Sequence, residues 1–90
     1  MKNIIYIVKY KYYQYNSGSS DNGTYYNKVE MDNLEQAKLL YKQIQDCIDK
    51  KLDEETEEDL INNYIPYGGY FKEVKMLKST VEEYDMSNDN

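Results

Sequence analysis

The chain predicts an α+β fold: a three-stranded, antiparallel-containing sheet in the order β-β-α-β. The first strand is central, one long amphipathic helix covers one face, and a short second helix is compatible with the pattern. Three observations predict it. Residues 3–15 and 25–31 are dense in Ile, Val and Tyr, which suit a pleated, half-buried surface, and a polar loop separates them. Residues 33–50 carry apolar side chains at helical spacing behind a capping signal. A third β-favouring stretch follows the turn at Tyr67-Gly68-Gly69. Ninety residues make one domain with a small core, expected over residues 1–85, with a disordered polar tail at 86–90.

Each element has its own residue-level reason. In the first strand Ile4, Tyr6, Val8, Tyr10 and Tyr12 share one face, and Ile5, Ile7, Lys9, Lys11, Tyr13 and Tyr15 share the other. Its first half is apolar on both sides, as a central strand is. Residues 16–23 form a loop by composition, with a mobile tip. In the second strand Tyr25, Val29 and Met31 oppose Lys28 and Glu30. Asp32 is the expected N-cap of the long helix, with Glu35 at the capping-box position. Leu34, Ala37, Leu40, Tyr41, Ile44, Cys47 and Ile48 make its apolar stripe.

The segment Asp53-Glu54-Glu55-Thr56-Glu57-Glu58-Asp59 precedes Leu60, Ile61, Tyr64 and Ile65. Acids in a first turn suit the positive end of a helix dipole, so a short helix over about 54–63 starts near Asp53 or Thr56 and ends before Pro66. The last strand runs from Tyr70 to about Tyr84. In it Tyr70, Val74 and Met76 alternate imperfectly with Phe71, Glu73, Lys75 and Leu77, and Ser79-Thr80 marks a bulge or break. This strand is expected antiparallel to the first and parallel to the second.

Net charge is −6 and unevenly spread. Residues 1–31 hold four Lys and two acids, residues 32–59 four Lys and ten acids, residues 60–90 three Lys and five acids. Most of such a surface repels nucleic acid and anionic membrane and attracts basic proteins. All basic residues are Lys, and the 12 Tyr accompany many Lys, Asn and Ile, a bias that A/T-rich codons also produce. The single cysteine, Cys47, fits a reducing compartment. No apolar run approaches the roughly 18 residues of a membrane span, and the apolar part of the N-terminus is too short for a signal peptide. These features predict a soluble, cytoplasmic protein.

Catalytic chemistry finds few candidates. With no His, the commonest general base is missing. Cys47 lies on the apolar helix stripe, as a buried structural thiol does. Gly68-Gly69 is too short for a phosphate loop. An EF-hand counted from Asp49 puts Glu54 where Gly is required and Leu60 where the bidentate Glu belongs. No metal, cofactor or catalytic residue is assigned, and a non-enzymatic protein is expected.

Two surfaces remain. Asp46, Asp49, Asp53, Glu54, Glu55, Glu57, Glu58 and Asp59 concentrate eight carboxylates within 14 residues. The default for such a run is a solvated face. Its sharper reading is a surface that imitates a row of phosphates and enters a basic nucleic-acid cleft, with Tyr64, Tyr67 and Tyr70 as aromatic anchors. The first strand interleaves Tyr6, Lys9, Tyr10, Lys11, Tyr12, Tyr13 and Tyr15, a pattern that sheets use to stack single-stranded nucleic acid, although tyrosines packed at sheet edges look the same.

The short acidic chain, its Lys/Asn/Tyr/Ile-rich composition, the opening Ile4-Ile5-Tyr6-Ile7-Val8-Lys9-Tyr10 strand, the Asp32-Asn33-Leu34-Glu35-Gln36-Ala37 helix start and the closing Phe71-Lys72-Glu73-Val74-Lys75-Met76-Leu77 strand resemble the small proteins of phages and mobile elements, including the anti-CRISPR inhibitors. The resemblance implies a nuclease as target, often a CRISPR effector, in the cytoplasm of a bacterial host. The expected function is therefore a protein-binding inhibitor of a basic nucleic-acid-binding protein, without membrane or direct nucleic-acid partners. A single-stranded nucleic-acid-binding module and a homodimeric accessory protein are the alternatives, and both monomer and homodimer stay open.

Overall fold

A computed structural model describes residues 2–15 and 23–82, giving backbone alone for Lys2, Val81 and Glu82. The tip of the 16–23 loop and the tail expected at 86–90 lie outside the described residues. The elements are β1 (Lys2–Gln14), β2 (Gly23–Met31), α1 (Leu34–Ile48), α2 (Glu54–Tyr64) and β3 (Gly69–Glu82). The sheet order is β2-β1-β3, and both neighbours run antiparallel to β1. This is the α+β arrangement expected, with β1 central and the second helix present.

Alternation along β1 divides the sheet into two faces. Val8, Tyr10, Tyr12 and Gln14 are buried beneath the helices. Ala37, Leu40, Ile44 and Cys47 of α1, Leu60 of α2, Ile65, and Phe71 and Val74 of β3 complete the core. At about 25 cal/mol per Å² of apolar area removed from water, such side chains contribute roughly 1.5–3 kcal/mol each against the entropy of ordering the chain. Tyr10 sits at the centre: Phe71 lies edge-on at 5.5 Å, Tyr64 edge-on at 6.1 Å, and the Tyr10 hydroxyl donates to the Tyr64 carbonyl at 2.9 Å. A buried phenol needs such a partner, and no buried polar side-chain atom among the described residues lacks one.

The structure corrects four sequence expectations. Asn33, not Asp32, is the N-cap of α1: its backbone is extended and its Oδ1 accepts from the Gln36 N–H at 3.0 Å. Both types cap well, and Asn33 has the geometry because its side chain stands three residues before that N–H. The irregularity of β3 lies at Lys72, not at Ser79-Thr80. Lys11 pairs with Glu73 and Tyr12 with Phe71, so Lys72 is the extra residue of a bulge, while pairing continues through Ile5–Ser79 and Ile4–Thr80. The bulge also changes the grouping of side chains. Phe71 joins Val74 and Met76 beneath the helices, and Tyr70 joins Glu73, Lys75 and Leu77 on the opposite face. Finally, the start of β1 is not enclosed on both faces. Pairing with β2 ends at Tyr6–Met31, so Lys2–Ile5 and Ser79–Glu82 continue as a two-stranded ribbon on which Ile4 is 40% exposed.

Both helix ends that meet in the acidic region are tightly determined. α1 closes in a Schellman motif: the Lys51 N–H donates to the Asp46 carbonyl at 2.8 Å and the Lys50 N–H to the Cys47 carbonyl at 3.2 Å. Lys50 takes φ 60° at the position where glycine is usual. α2 starts at Asp53, whose carboxylate accepts from the Thr56 N–H at 3.1 Å and the Thr56 hydroxyl at 2.6 Å. It stops at Tyr64 because Ile65, preceding Pro66, is extended.

Candidate functional site

Two surfaces on opposite sides of the sheet could carry function, and they differ in charge. The first is the outer side of the helical layer, where α1 ends and α2 begins. Asp49, Asp53, Glu54, Glu55, Glu58 and Asp59 are exposed there, while Asp46 and Glu57 are half-buried. Some of this acidity serves the fold. Asp53 caps α2, Asp49 ends α1 and accepts from the Gln45 side-chain amide at 3.3 Å, and Glu54, Glu55 and Glu57 occupy the first turn of α2, where its dipole favours anions. The hydroxyl of Thr56, then its backbone N–H, holds the Asp53 carboxyl below the usual carboxylate range.

Among the described residues one ion pair touches this group, Lys50 to Glu57 at 3.3 Å. None of the other carboxylates has a lysine within 4 Å among the described residues. They also border an apolar feature. Lys50, Leu52, Glu54, Glu57, Glu58 and Ile61 line an open depression of about 410 Å³ between the α1–α2 connection and α2, with the half-buried side chains of Leu52 and Ile61 at its floor. Leu52 and Ile61 were not legible as site residues from sequence. The period of α2 marks Ile61 as apolar but does not show that the α1–α2 connection brings Leu52 beside it.

The three tyrosines expected as anchors of this surface are dispersed. Tyr64 is half-buried against Tyr10. Tyr67 projects from the turn after α2, 75% exposed at φ 63°. Tyr70 lies on the opposite face of the sheet, stacked on Tyr13 with ring centroids 5.4 Å apart and planes 17° from parallel. The carboxylates therefore gather on one side of the molecule, and Tyr70 does not join them.

The second surface is the sheet face that the helices leave open. Lys9, Lys11 and Tyr13 of β1 lie on it, with Tyr15 just beyond the strand end packed against Tyr13, whereas Tyr6, Tyr10 and Tyr12 turn toward the helices. Register adds neighbours that β1 alone does not reveal. Lys28 and Lys75 pair with Lys9 from either side, Tyr26 and Glu73 with Lys11, and Thr24 and Tyr70 with Tyr13. The ammonium groups of Lys9 and Lys11 stand 5.5 and 5.7 Å from the centroid of the Tyr26 ring. Lys9, Lys11, Lys28 and Lys75 outnumber Glu30 and Glu73 here, so this face is net positive.

Cys47 is buried in the core, and burial, then the neighbouring Glu57 carboxylate, push its thiol pKa up against a smaller opposite effect of Lys50. A thiol held protonated packs as a small apolar group. Among the described residues no three His, Cys, Asp or Glu side chains are grouped to hold a metal ion. No helix among them is long and apolar enough to cross a membrane. No protein-family model matches the chain, and no curated protein or solved structure matches it either.

Proposed function

We propose that this chain is a protein-binding inhibitor, non-catalytic and cytoplasmic, that blocks a basic nucleic-acid-binding effector of the kind anti-CRISPR proteins target. The observation that carries this reading is the acidic rim around an apolar floor, in which Lys50 pairs with Glu57 and leaves Glu54 and Glu58 without a lysine partner among the described residues. Glu54 and Glu58 border the depression floored by Leu52 and Ile61, and Asp53, Glu55 and Asp59 extend the negative surface along α2. A basic cleft that holds phosphates meets there the same charge at a rigid helix surface, and the apolar floor adds the desolvated contact that stabilises an interface once charge has steered the encounter. Backbone and side-chain hydrogen bonds hold both helix ends in place, which lowers the ordering entropy that opposes binding.

The test is competition. A purified RNA-guided effector is mixed with its target nucleic acid and with increasing amounts of the chain, and retention of the nucleic acid is measured by gel shift. The expected result is displacement that weakens as salt rises and is lost when Glu54, Glu55, Glu57 and Glu58 are replaced together by Lys. Displacement that survives this charge reversal would falsify the assignment of the acidic layer. Replacing Ile61 with Asp tests the floor separately: the encounter remains salt-dependent, but the complex dissociates faster.

A further inference from the structure

We infer that the open sheet face is a second binding site, independent of the acidic layer, and that it takes a short single strand of nucleic acid. The decisive juxtaposition is a row of three lysines across all three strands. Lys28, Lys9 and Lys75 occupy one register level, with Lys9 between the other two. Like charges directly opposite each other in a sheet oppose folding. The outer two are relieved within their own strands, Lys28 by Glu30 at 3.2 Å and Lys75 by Glu73 at 3.7 Å. Lys9 has no carboxylate within 4 Å among the described residues and lies over the Tyr26 ring. The centre of this face is thus an unneutralised cation over an aromatic ring, bordering a depression of about 250 Å³ lined by Lys9, Lys11, Tyr26, Glu73 and Lys75.

Accessible aromatic rings share the face with that charge. Tyr26 is 61% exposed, and Tyr70 is 41% exposed beside Tyr13, with Tyr15 edge-on to both. The tyrosine group at Tyr13 and Tyr70 stands four residues along the strands from the lysine row, roughly 13 Å away. A sheet that binds single strands offers the same alternation of rings for bases and cations for phosphates, with room for about two or three bases. A duplex keeps its base faces stacked inside and cannot use the rings. The acidic surface does not forbid this. Its carboxylates lie beyond a helix about 10 Å across, more than one Debye length of about 8 Å at physiological salt.

The test uses the whole chain and fluorescence anisotropy with labelled oligo(dU) and oligo(U) of about ten nucleotides, and a duplex of equal length, near 0.15 M salt. Binding to the single strands is expected with a dissociation constant of roughly 1–100 µM, and weaker binding to the duplex. Preference for oligo(U) over oligo(dU) assigns RNA, and equal affinity assigns single strands of either sugar. Tyr70→Ala is expected to weaken binding about tenfold or more. Lys9→Gln is expected to make the slope of log affinity against log salt shallower by about 0.7. Lys42→Gln, on the exposed side of α1, is expected to leave binding unchanged. Circular dichroism verifies that each variant folds. No binding to either oligonucleotide at about 0.1 mM protein, equal binding to the duplex, or affinity indifferent to both Tyr70→Ala and Lys9→Gln overturns the inference. So does self-association that Leu77→Lys abolishes in a chain that binds no oligonucleotide, which gives the face to a second copy.

Discussion

Single residues set the conformation around both surfaces, and three of them make separable predictions. Asn33→Ala removes the α1 cap and is expected to cost about 1 kcal/mol in urea unfolding, while Asp32→Ala, next to it but outside the cap, changes little. The capping residue was legible only to within one position, because Asp32 and Asn33 are equally good in type and only the backbone decides which side chain meets the Gln36 N–H. Asp53→Ala tests the α2 cap through pH. The Asp53 pKa is lowered in the folded chain, so its stabilisation is present above the ordinary carboxylate range and is lost as pH falls through the folded value. The difference in urea midpoint between the parent and Asp53→Ala should therefore narrow as pH drops below about 4. Tyr10 behaves in the opposite sense. Burial raises its pKa, against a smaller pull from the Asn27 side chain, so its contribution is complete below about pH 10 and declines as pH rises toward the folded value. Alkaline unfolding monitored by tyrosinate absorbance is expected to be steeper in the parent chain than in Tyr10→Phe.

At the scale of elements, the turn into β3 and the end of α1 have opposite responses to glycine chemistry. Gly69 has φ 148°, and a Cβ there would overlap the Tyr13 carbonyl of the paired strand. Gly69→Ala is expected to destabilise by about 2 kcal/mol or more, measured as a lowered urea midpoint. Lys50, at φ 60° in the Schellman motif, carries the reverse strain, so Lys50→Gly is expected to stabilise by about 0.5–1 kcal/mol despite losing the solvent-accessible pair of its ammonium with half-buried Glu57. The α1 stripe was readable because its period is unbroken from Leu34 to Ile48. The alternation of β3 was not, because the Lys72 bulge shifts Phe71 inward and Tyr70 outward, and one extra residue exchanges the faces of all that precede it. The acidic run was readable as a contiguous segment. The lysine row was not, since Lys9, Lys28 and Lys75 are distant in sequence and meet only through register.

The whole molecule separates its charge into two layers: residues 32–59, with ten carboxylates and four lysines, form most of the helical side, and the open sheet face is locally positive. One chain can then present different surfaces to different partners without either charge cancelling the other. The claim that binding is carried by the helical layer is tested most directly by the rate of association with a basic effector nuclease, measured by stopped flow across a range of ionic strength. The parent rate is expected to fall about tenfold or more as salt rises from low to physiological levels, and the chain with Glu54, Glu55, Glu57 and Glu58 replaced by Lys is expected to associate slowly and without salt dependence. Equal rates for the two chains at low salt would contradict it.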